Sequence, residues 1–134
     1  QTATNVPSTT HLRITFNQLI ADGASTETLS TGELTFPTAL ADSDEFTGHW
    51  QLEPADLPAS HVPQDESLRA MLSGEGTFKC TRDAKSRRIE LYPDLVDNNF
   101  EITVLHNIIG IGEWRYITFA GITATGPAHI EPLP

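Results

Sequence analysis

Apolar and polar residues alternate strictly between Asn99 and His106, with Phe100, Ile102, Val104 and His106 on one face and Glu101 and Thr103 on the other. A period of two is the signature of a strand with one face buried. From Gly112 to Gly121 bulk falls on both sides: Trp114 and Tyr116 share one face, Ile117 and Phe119 the opposite one. That pattern predicts a strand covered on both faces. The intervening Gly110-Ile111-Gly112 predicts a corner where a sheet bends sharply.

Ten segments in all read as short antiparallel strands. Eight of them have clear bounds: His11 to Phe16, Thr31 to Phe36 (stopped by Pro37), Glu45 to Glu53, Gly76 to Cys80, Arg87 to Tyr92, Asn99 to His106, Gly112 to Ala120 and Ile122 to Ile130. In the third, Phe46, Gly48, Trp50 and Leu52 share a face, and Thr47, His49, Gln51 and Glu53 share the other. Short joining turns such as Asp22-Gly23, Arg82 to Ser86 and Pro93-Asp94 favour up-and-down pairing over a parallel sheet. One helix is predicted over Gln64 to Leu72. Acids occupy its first turn, Leu68, Met71 and Leu72 form an i, i+3, i+4 stripe, and Gly74 stands at its exit. Two turns of helix are not stable alone, so this one must lie against the sheet or plug one end of it.

Strands with one polar face need a single core on the other. The expected fold is therefore all-β, a closed antiparallel up-and-down barrel of about eight strands with one short helix. A two-sheet sandwich is the alternative. The glycines at 32, 48, 74, 76, 110, 112 and 121 favour the barrel, because tight curvature is the usual reason to keep glycine in strands. Residues 1–9 read as a flexible N-terminal segment and 10–134 as one domain.

Composition narrows the function classes. The net charge is −10, from 18 acidic and 8 basic residues, which argues against nucleic acid as a partner. Five of the eight cations, Lys79, Arg82, Lys85, Arg87 and Arg88, fall in one stretch. It reads as a solvated hairpin tip, or as a docking spot for an acidic surface such as a second copy in a homodimer. Asp42, Asp44 and Glu45 read as a solvated acidic loop. Cys80 has no intrachain partner and reads as a small buried hydrophobe. No apolar run reaches membrane-spanning length. The chain opens on Gln1 with its only methionine at Met71, so an initiator removed by processing or trimming is expected, and no secretory signal is visible. The compartment stays open between secreted and cytoplasmic.

Strand parity selects the candidate site. Trp50, Trp114, Tyr116 and His106 each bring a polar atom to the apolar face, where it needs a partner. Around one lumen they would make an aromatic-walled pocket with a few hydrogen-bonding groups. Trp50, Trp114, Phe100, Phe78 and Met71 are the ligand-binding candidates. Tyr116 and His106 are the catalytic ones, with Glu90 a candidate to orient His106. The other histidines lack metal-ligand spacing, so neither a metal nor a cofactor is expected.

Gly110-Ile111-Gly112-Glu113-Trp114, followed by a long strand and Gly121, resembles the Gly-X-Gly-X-aromatic signature of small antiparallel barrels of the allene oxide cyclase and dirigent-like type. The resemblance implies a barrel that takes an apolar small molecule into its lumen. If catalytic, it implies a cofactor-independent cyclase or isomerase of natural-product biosynthesis that holds a flexible substrate in its reactive conformer. The segment from Pro54 to Leu72 would then be a lid. The contrasting readings are a non-enzymatic carbohydrate- or protein-binding module, or an acidic inhibitor of a basic partner.

Overall fold

Eight strands and one helix follow each other along the chain in the computed structural model, which describes residues 9–19, 25–40, 43–83, 86–93, 99–105, 109–118 and 120–133. The strands are β1 (Thr9–Leu19), β2 (Thr26–Pro37), β3 (Glu45–Pro54), β4 (Glu75–Asp83), β5 (Ser86–Pro93), β6 (Asn99–Leu105), β7 (Gly110–Thr118) and β8 (Gly121–Pro132). The helix, α1 (Glu66–Leu72), lies between β3 and β4, and short 3-10 turns occupy Thr38–Leu40 and Ala59–His61. The eight strands fall one on each of the eight bounded segments, and most run longer than their apolar cores suggested. The predicted corner at Gly110 to Gly112 is instead the first part of β7, paired with Ile130 to Ala128 of β8.

Every strand pairs antiparallel with its sequence neighbours in one curled sheet. Leu12 to Phe16 of β1 also pairs with Pro132 to Ala128 of β8. Period-two alternation puts Leu12, Ile14 and Phe16, Leu34 and Phe36, Phe46, Trp50 and Leu52, and Phe78 and Cys80 on the buried face. Ile89 and Leu91, Trp114 and Tyr116, and Ala128 and Ile130 complete that face. Burying each large apolar side chain contributes about 1.5–3 kcal/mol before the cost of ordering the chain.

The helix starts at Asp65, whose carboxylate accepts from the backbone N–H of Ser67 (2.9 Å) and Leu68 (3.3 Å). The expected stripe of Leu68, Met71 and Leu72 is buried in the same core as the strands. Three hydrogen bonds fasten this segment: Ser30 Oγ donates to the Leu72 carbonyl (2.5 Å), Leu52 N–H to the Gly74 carbonyl (2.9 Å), and Tyr116 Oη to Ser67 Oγ (2.7 Å). The helix is thus part of the core wall.

Two inward-facing glycines, Gly32 and Gly48, mark close approaches between strands. A Cβ on Gly32 would run into the Gln51 carbonyl, and one on Gly48 would meet the Thr35 carbonyl and come within 2.6 Å of the Phe78 ring. β2, β3 and β4 therefore approach more closely here than any side chain permits. Gly48→Ala is expected to destabilise the fold by about 1–3 kcal/mol through overpacking. Asp65→Ala should cost about 1 kcal/mol through the lost cap. Urea unfolding of the two variants checks both values, and an unchanged midpoint for Gly48→Ala would contradict the close approach.

Candidate functional site

The aromatic residues singled out by parity are brought together, and they are spent on the protein itself. Trp50 is 2% exposed and donates its indole N–H to the Tyr92 carbonyl at 2.9 Å. Trp114 donates to the Asn17 carbonyl at 2.7 Å, beside the register shift between Phe16 and Asn17. Its ring packs on Phe16 with centroids 5.6 Å apart. Tyr116 is fully buried and holds Ser67 of the helix. Phe78 packs edge-on against Phe36 and Phe46, both at 6.2 Å, and Met71 is buried on the helix. The backbone of Phe100 sits opposite Leu91 and Tyr116 in the sheet. His106 lies outside the described residues. Glu90, its expected orienting partner, accepts a hydrogen bond from Tyr92 Oη at 2.8 Å.

Within the basic stretch, Arg82 and Arg88 are solvated as expected, whereas Arg87 departs from that reading. Arg82 pairs with Asp44 (3.3 Å) and Lys79 with Glu45 (3.7 Å), exposed ion pairs that join the two neighbouring clusters. Arg87 is only 2% exposed. Its guanidinium donates to the Ser43 carbonyl (2.8 Å), lies 5.8 Å from the Phe46 ring centre and approaches Cys80 Sγ at 3.8 Å. Parity was the missed signal: Arg87 shares its face with Ile89 and Leu91. Burial pushes the Cys80 thiol up from its ordinary value, and the nearby Arg87 charge offsets only part of that.

Three adjoining depressions lie on the outer side of β2, β3 and β4. A depression of about 320 Å³ is lined by Glu33, Thr35, His49, Gln51, Glu75 and Thr77, among others. A second, of about 390 Å³, shares Glu33 and Gln51 and extends to Thr31, Glu53 and Ala55. A third, of about 410 Å³, shares Thr35, His49 and Thr77 and extends to Thr9 and Thr47. Shared walls make the three one continuous groove. It follows the outer residues of β3 from Thr47 to Glu53, roughly 20 Å at about 3.3 Å per residue, and overlies the strands drawn close at Gly32 and Gly48.

Its polar lining is threonine hydroxyls, an amide, an imidazole and three carboxylates, with Phe36, Pro37, Trp50, Pro54 and Ala55 also on its walls. Glu53 and Glu75 are exposed, whereas Glu33 is half-buried and contacts His11 Nδ1. Of the residues lining this groove, only Trp50 was a site candidate from sequence, because the groove exists only once three strands are paired in register. Among the described residues no group of three His, Cys, Asp or Glu side chains is placed to hold a metal, and no helix is long and apolar enough to cross a membrane. No protein-family profile, curated protein or solved structure matches this chain.

The buried, proton-retaining Cys80 thiol is expected to be inert in the folded protein. A chromogenic disulfide reagent at neutral pH should report essentially no free thiol until denaturant is added, and one thiol afterwards. Rapid labelling of folded protein would contradict the packing around Arg87.

Proposed function

We propose that the sheet closes into an eight-stranded barrel that serves as a non-enzymatic binding module, whose outer groove takes an extended, cationic segment of a protein partner. The pairing of Leu12 to Phe16 with Ala128 to Pro132 supports closure. The groove's continuity carries the functional reading: three depressions share walls across β2, β3 and β4 and bring Glu33, Glu53 and Glu75 to one open face.

Charge selects the occupant. With a net charge of −10 and the Asp44 and Glu45 carboxylates already matched by Arg82 and Lys79, the field at this face attracts cations. The groove offers carboxylates and hydroxyls, acceptors suited to Lys and Arg side chains. A neutral glycan would want an exposed aromatic platform, whereas Trp50, which borders the groove, is buried.

The competing reading, an apolar guest inside the barrel with Tyr116 or His106 acting on it as a cofactor-independent cyclase or isomerase, draws on the resemblance and on the aromatic lining. Against it stand the bonds that already occupy the polar atoms of Trp50, Trp114 and Tyr116. A guest that took a hydrogen bond from any of these donors would have to displace the one already made.

Calorimetric titration with a Lys/Arg-containing hexapeptide, its Glu-containing counterpart and a neutral oligosaccharide tests the proposal. The cationic peptide alone should bind, more weakly as salt rises. Each exposed carboxylate contributes up to about 1 kcal/mol, so E33Q/E53Q/E75Q should weaken binding by roughly ten- to a hundredfold. Equal affinity of the triple variant, or preference for the oligosaccharide, would overturn the reading. Saturable quenching of tryptophan fluorescence by apolar polyenes would favour the interior site instead.

A further inference from the structure

A separate cavity of about 220 Å³ lies between α1 and the segment from Pro54 to Pro63, walled mainly by Leu29, Leu57, Val62 and Leu72. The segment over it is pinned at both ends. Ala55 N–H donates to the Leu29 carbonyl (2.9 Å), and Gln18 Nε2 donates to the His61 carbonyl (3.0 Å). His61 Nδ1 lies 3.0 Å from Glu27 Oε2. Hydrogen bonds from His61 and Gln18 hold the Glu27 carboxyl below its ordinary value, which keeps this anchor charged. The cavity is therefore held open by its frame, with Leu29 and Leu72 buried and Leu57 and Val62 half-buried on its walls.

Arg69 also borders it. Its Nη1 donates to the Pro63 carbonyl at 2.6 Å, which fixes the guanidinium beside the opening. Its Nη2 is 4.0 Å from Glu66, whose side chain is 92% exposed. An ion pair that long and that wet contributes little and is readily displaced. A guanidinium has five N–H donors, so donors remain for a carboxylate after the Pro63 bond is made.

We propose that this cavity binds an amphipathic monocarboxylate, its apolar tail among Leu29, Leu57, Val62 and Leu72 and its carboxylate on Arg69. A 150 Å³ apolar cavity takes benzene, so one of this size takes a tail of roughly eight or nine heavy atoms. The chain's net negative charge does not forbid an anion here. Exposed charges farther than about 8 Å are largely screened at physiological salt, which leaves Arg69 with the nearby Glu66 and Asp65 as the charges that act at this opening. The two sites share Pro54 and Ala55 at their border, but Arg69 and the Leu29, Leu57, Val62 and Leu72 walls belong to the cavity alone, so either site can fail without the other.

Octanoate and 1-octanol are the probes, followed by methyl-resolved NMR of the whole chain. Octanoate should shift the Leu29, Val62 and Leu72 methyl signals saturably. Arg69→Gln removes the charge and keeps a polar side chain at the opening. It should weaken octanoate about tenfold, a difference of about 1.4 kcal/mol, and leave 1-octanol within about twofold. Leu57→Trp should fill the cavity and abolish both. No methyl shift at millimolar octanoate in folded protein would overturn the proposal, as would equal losses of acid and alcohol in Arg69→Gln. Undiminished binding by a folded Leu57→Trp would overturn it too.

Discussion

Each buried ring that carries a polar hydrogen must find an acceptor inside the protein, and this requirement organises the molecule. Trp50 reaches the backbone of Tyr92, Trp114 that of Asn17, and Tyr116 the hydroxyl of Ser67. These bonds tie β3 to β5, β7 to β1, and β7 to the helix. Each contributes only about 1 kcal/mol net, but a buried donor left without an acceptor costs about 1–3 kcal/mol. The penalty for misplacing a strand therefore exceeds the reward for placing it. The curled sheet is specified by what its large side chains cannot tolerate as much as by the apolar area they hide.

Curvature follows from the same demand. Strands that share one core must bend around it, and β2 and β3 come close where Gly32 and Gly48 leave no Cβ to hold the neighbouring backbone away. The inner and outer faces then diverge in character. Inside, Phe36, Phe46 and Phe78 pack ring to ring. Outside, the same strands present an acid- and hydroxyl-lined groove. Structure and surface chemistry are coupled through the alternation of one strand: Phe46, Gly48, Trp50 and Leu52 build the core, while Thr47, His49, Gln51 and Glu53 meet the solvent.

The architecture was largely legible because it rests on local patterns. Alternation located the strands, and the Leu68, Met71 and Leu72 stripe located the helix and its buried side. Strand ends were less legible, because hydrogen bonding carries β1, β2 and β8 beyond their apolar residues. The short turns at Thr38–Leu40 and Ala59–His61 have no periodicity to betray them. Arg87 was misread for a different reason. Charge clustering along the chain suggested solvent, but parity with Ile89 and Leu91 decides which way it points. The grouping of Trp50, Phe78, Trp114 and Tyr116 on one face was readable from parity, whereas their hydrogen-bond acceptors were not. Three of those acceptors, on Asn17, Ser67 and Tyr92, lie 42 to 97 residues away in sequence. The outer groove combines residues from three strands, and its shape depends on register.

Hydrogen exchange of the two indole N–H groups bears most directly on whether these rings are core. With Trp50 and Trp114 bonded to backbone carbonyls in a packed interior, both indole protons should exchange only through large-scale unfolding, as slowly as the central amides of β3 and β7. Fast exchange of either indole under native conditions, with neighbouring amides still protected, would show a ring open to solvent or to a guest and would contradict the account.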